Sequence, residues 1–113
     1  MKPDPNWKPK VSRPYVYPRD DYWDAIQMMA NRMGVSETKY GPIEDNYPAP
    51  ADAVGTLYER LERYEETGNT EWLLDVANMA LIEHLRPAHP KAHFVATGAE
   101  ESPGLRKWDE DKE

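Results

Sequence analysis

Three stretches of the chain place apolar residues at helical spacing, and the stretches between them do not. Tyr22, Ile26, Met29 and Met33 recur at intervals of four, three and four, with Trp23 and Ala30 widening the stripe. This predicts a first helix over 20–33, capped by Asp20 or Asp21 and stopped by Gly34. Val54, Leu57, Leu61 and Tyr64 form the stripe of a second helix over 52–66, followed by Gly68. A third helix over 71–86 is capped by Asn69 or Thr70 and stopped by Pro87, which cannot continue it.

The connections complete the architecture. Only a few residues link the second and third helices, so these should fold back as an antiparallel hairpin. "SETKYGPIEDNYPAPAD" carries Pro42, Pro48 and Pro50 without periodicity and reads as a long connection. Residues 1–19 contain five prolines with Trp7, Tyr15 and Tyr17, which reads as an extended arm that is either free or laid over its own core or a neighbour. Residues 20–95 form the helical domain, with Phe94 and Val95 as an apolar latch, and 96–113 form a charged tail. No strand pair or internal repeat is evident. The expected class is all-α, a small bundle of three main helices.

Composition narrows the partners. The chain has 113 residues, 11 prolines and 31% charged residues, and its mean hydropathy is -0.92. The part able to pack is small and would gain from assembly, so a homo-oligomer is expected. A formal net charge of -7 argues against a nucleic-acid or anionic-membrane binder. The absence of cysteine excludes disulfides and thiolate chemistry and allows a reducing, cytoplasmic setting. "MKPDPNWKPK" has no apolar segment of a secretory signal, and no run is long enough to span a membrane.

The third helix poses the chemical question. "EWLLDVANMALIEHL" is apolar nearly all round, yet Glu71, Asp75 and Asn78 fall within a sector of roughly 60°. Burying carboxylates without partners is costly, so Arg60, Arg63, a backbone amide or a metal ion must meet them. Folding the hairpin brings Glu62 level with Asp75 and Glu59 level with Asn78. An oxygen-only group of this kind suits Mg²⁺ or Mn²⁺, which could hold a triphosphate and activate water. The same residues also read as ordinary helix chemistry: Glu59–Arg63 is a routine i,i+4 pair, Glu71 can stabilise a helix N-terminus, and Asp75 can pair with an arginine. His84, His89 and His93 lack the scaffold of a zinc site, and His84 fits the C-terminal end of a helix dipole. No P-loop, nucleophile motif or dinucleotide fingerprint occurs.

"ERLE" at 59–62 and "EWLLD" at 71–75 resemble the paired acidic motifs of the MazG-like all-α nucleoside triphosphate pyrophosphohydrolases. The family has ExxE followed by ExxD. Here the second pair is ExxxD, and eight residues separate Glu62 from Glu71. "KYG" at 39–41 also resembles small phage-type proteins linked to nucleotide metabolism. The resemblance implies an oligomeric, Mg²⁺-dependent hydrolase that cleaves a (d)NTP to monophosphate and pyrophosphate. Glu59, Glu62 and Asp75 would hold metal, and Glu71 with Asp75 would serve catalysis. Lys39, Arg60, Arg63 and Asn78 would bind the substrate. The competing expectation is a non-catalytic helical module, of phage or accessory type, that binds a protein partner through its arm.

Overall fold

The computed structural model describes residues 19–98, 100–101 and 104–108; the arm expected over 1–19 lies outside them except for Arg19. Four helices follow one another: α1 (Asp20–Tyr40), α2 (Ile43–Asn46), α3 (Ala53–Thr67) and α4 (Glu71–Leu85). No strand occurs among the described residues, and the all-α class holds. None of the helices is long and apolar enough to cross a membrane.

The α3–α4 hairpin forms where the stop and start signals are strongest. The Asp52 carboxylate accepts from the Gly55 amide at 2.9 Å, capping α3. Gly68 ends α3 in the left-handed region at φ 71°, where its amide donates to the Tyr64 carbonyl. Asn69 Oδ1 then accepts from the Glu71 amide at 3.0 Å, so Asn69 and not Thr70 supplies the side-chain bond at the start of α4. These signals are local, and α3 packs on α4 more extensively than any other pair of helices.

Helix α1 departs from expectation at both ends. Arg19 occupies the capping position without a side-chain bond, and Asp20 and Asp21 lie inside the first turn, where their charge favours the positive end of the helix dipole. The helix runs through Gly34 to Tyr40, seven residues further than expected. A mid-helix glycine costs only about 1 kcal/mol relative to alanine, and no proline follows before Pro42. The effective stop is Gly41 at φ 87° followed by Pro42. The long connection contains the single turn α2, tied back by Asn46 Nδ2, which donates to the Tyr40 carbonyl at 2.8 Å.

The core is slight. Among the apolar side chains of the described residues only Ala53 and Ile82 are buried, at 3% and 1% exposure. Helix α1 contributes no buried residue and packs on α4 more lightly than α3 does. The expected latch lies open: Phe94 meets the His84 ring edge-on at 6.0 Å but is 78% exposed, and Val95 is 68% exposed. Neither side chain finds an apolar socket deep enough to bury it.

Candidate functional site: a guanidinium–carboxylate node beside a cleft

The polar row of α4 meets α1, and Arg32 is the reason. Its Nε donates to Asp75 Oδ1 at 2.8 Å and its Nη2 to Asp75 Oδ2 at 3.1 Å, a two-point fork on one carboxylate. Its Nη1 donates to Glu71 Oε1 at 2.5 Å. Glu71 and Asp75 are one turn apart on α4, so a single guanidinium spans both acids. Arg60 approaches from α3, its Nε 3.6 Å from Asp75 Oδ2 and its guanidinium carbon 5.7 Å from the centre of the Trp72 ring. Asp75, whose side chain is 19% exposed, thus lies between cations from two different helices. The Asp75 carboxylate, opposed only in part by desolvation, holds the Arg32 guanidinium above its ordinary pKa.

Asn78 completes the row. It is 5% exposed, the one buried polar residue among those described, and its Nδ2 donates to the Met29 carbonyl of α1 at 3.0 Å. All three members of the row therefore bond to α1. These links also fix the register. Met29 is level with Asn78, and Arg32 is level with Asp75 and Glu71, so α1 and α4 run antiparallel.

The other expected site residues separate into two groups. Lys39, Arg60, Asp75 and Asn78 line a common cleft of about 680 Å³ between the second half of α1, α2 and the hairpin. Glu59, Glu62 and Arg63 do not line it. Glu59 is 69% exposed and accepts from Arg60 Nη1 at 3.1 Å. Glu62 is exposed, and Arg63 pairs with Glu66 at 3.8 Å along its own helix. The expected convergence of Glu59, Glu62 and Asp75 on one ion does not form. Among the described residues no three of His, Asp and Glu stand where they could hold a metal ion. The physical reason is the rotation of α3: it buries Ala53 and turns Arg60 toward Asp75, which leaves the two glutamates in solvent.

Sequence reasoning offered Arg60 and Arg63 as partners for Asp75 and missed Arg32. The available signal was its position beside Met29 and Met33, a cation at the edge of an apolar stripe, where a charged group needs a partner. The three histidines line a second hollow near the end of α4. There His89 Nδ1 accepts from the Lys91 amide at 2.9 Å and His93 Nδ1 lies 2.9 Å from the Lys91 carbonyl, while Glu83 of the same hollow accepts from the Ala88 amide at 2.8 Å. No family model, curated protein or solved structure matches the chain.

Proposed function

We propose that this chain is a non-catalytic helical interaction module that assembles with a second copy of itself through the end of the bundle where α1 begins and α4 ends. The observation that carries this reading is the exposure of large apolar side chains at that end. Tyr22 and Ile26 of α1 are 59% and 38% exposed, and Leu81 and Leu85 of α4 are 46% and 51% exposed. The antiparallel register puts these two pairs at the same end. The chain also enters α1 there, at Arg19.

A second copy is the occupant because the need is constant. Among the described residues two apolar side chains are buried, a core too small to hold the helices together by itself. A partner required for stability must be present whenever the chain is, and another copy always is. A standard interface covers about 800 Å² of each partner, worth roughly 25 cal/mol per Å² of apolar area removed from water. Two chains of net charge -7 repel, so contact through an apolar end suits them better than contact through the acidic outer side of α3.

The pyrophosphohydrolase reading has weaker support. Lys39, Arg60, Asp75 and Asn78 do share a cleft. The two acids it needs for catalysis, Glu71 and Asp75, are engaged by Arg32, and the two it adds for metal, Glu59 and Glu62, face solvent. Sedimentation equilibrium on the full chain tests the proposal. The wild type should be dimeric or larger at tens of micromolar, and Leu81→Glu should dissociate it. A wild type that stays monomeric and fully helical would overturn it.

A further inference from the structure

The cleft beside the Asp75 node is at the opposite end of α1 from the apolar patch, and its chemistry is different. Its volume of about 680 Å³ falls within the usual range for small-molecule sites. Tyr40, Tyr47, Trp72 and Met79 give it flat and polarisable walls, and Arg60 lies over Trp72 and extends that surface. Its polar groups differ in how far they are used: Ser36 and Glu37 also line it, and no side-chain bond engages them among the described residues. Asn78 spends its Nδ2 on the Met29 carbonyl, and its Oδ1 accepts from no donor among the described residues. The Tyr47 hydroxyl has only the Met79 sulfur, at 3.8 Å. Arg32 is committed to its two acids. Lys39 has no carboxylate within ion-pair distance among the described residues, and its ammonium lies 5.7 Å from the centre of the Tyr40 ring.

We propose that this cleft binds a small organic anion with a flat ring body, one acidic group and a hydrogen-bond donor away from that group. The ring body is held among Tyr40, Tyr47, Trp72 and Met79. The acidic group meets Lys39, which among the described residues lining the cleft is the cation with no acid within ion-pair distance. The donor meets Asn78 Oδ1, an acceptor that the Nδ2–Met29 bond leaves open toward the cleft. Arg32, Lys39 and Arg60 outnumber Glu37 and Asp75 along the lining, which favours an anion over a neutral ring, and the Asn78 oxygen favours a donor-bearing ring over a plain hydrocarbon. This inference is independent of self-assembly, since it uses the other end of the bundle.

The test titrates the full chain with three probes by calorimetry and maps them by amide chemical shifts: 6-hydroxy-2-naphthoate, 2-naphthoate and 2-naphthol. The expected result is one saturable site, with 6-hydroxy-2-naphthoate bound tightest and shifts confined to residues around Lys39, Tyr47, Trp72 and Asn78. Lys39→Gln, an exposed change that should leave folding intact, should weaken the two acids by about tenfold, the ratio that one charge-assisted contact provides, and leave 2-naphthol unchanged. The sedimentation profile of Lys39→Gln should match wild type, which keeps this result separate from the assembly reading. No saturable binding at millimolar probe, equal affinity for acid and neutral probes, or shifts centred on Leu81 and Leu85 would each overturn the proposal.

Discussion

Arg32 and Asp75 lie 43 positions apart in sequence and form a two-point ion pair that joins α1 to α4. Helix α1 has no buried side chain, so this pair, the Glu71 contact and the Asn78–Met29 bond hold it where apolar packing does not. A helix fastened mainly by directed polar contacts should be sensitive to any change in their geometry. Arg32→Lys keeps the charge but loses the fork, and should lower stability by about 1–2 kcal/mol in chemical denaturation. Amide exchange should rise along α1 before it rises in α3.

The same pair predicts a pH response. The folded pKa of Arg32 is raised, so its stabilising contribution is fully present below the ordinary arginine value and is lost only as pH climbs through the raised one. Between pH 7 and 10 the Arg32 link should therefore contribute a constant amount. Arg32→Lys should instead lose its remaining link as pH passes about 10, the ordinary range for lysine. Melting curves of the two proteins should run parallel up to about pH 10 and diverge above about pH 10.4, where the lysine begins to lose its charge. Curves that stay parallel above that pH would mean that Arg32 carries little of the α1–α4 attachment.

Ile82 is the one large side chain that is fully buried among the described residues. Ile82→Ala should cost about 3 kcal/mol, near the middle of the range for emptying a core isoleucine. Leu85→Ala, at a residue 51% exposed in the single chain, should cost well under half as much in any variant made monomeric. A denaturant series on both substitutions checks the ranking.

The start of α3 gives a coupled prediction. A Cβ added at Gly55 would come within 2.3 Å of Asp52 Oδ2, the carboxylate that caps the helix. Gly55→Ala should therefore gain about 1 kcal/mol of helix propensity and lose a cap of about 1 kcal/mol, ending near neutral. In an Asp52→Ala background the cap is already gone, and the same substitution should stabilise by about 1 kcal/mol. The four-protein cycle measures this difference directly.

What the sequence made legible is what local chemistry decides. Gly68 and Pro87 mark the hairpin because glycines at helix ends and prolines act within a few residues of where they stand, whereas the Asp52 cap went unnoticed. The row of Glu71, Asp75 and Asn78 was equally legible, since helical spacing fixes which residues share a sector. Its partner was not. Arg32 reaches Asp75 only because α1 continues through Gly34 and lies antiparallel to α4, which tertiary contacts decide. Glu59 and Glu62 illustrate the same limit. Their spacing is set by α3, but the direction they face depends on the rotation of α3 against α4, which the burial of Ala53 and the Arg60–Asp75 contact determine.

Arg32 holds both acids of the α4 polar row, and a thermal melt of wild type and Asp75→Asn, each with and without Mg²⁺, separates a structural link from a metal site. Asp75 is partly buried between Arg32 and Arg60, which keep Glu71 and Glu59 as partners, so removing its charge weakens two charge-assisted contacts and should cost about 1–3 kcal/mol. A structural link gives a lower melting temperature for the variant and no Mg²⁺ effect on either protein. A wild type stabilised by Mg²⁺, with an Asp75→Asn variant that is as stable as the metal-free wild type but no longer responds to the ion, would contradict it.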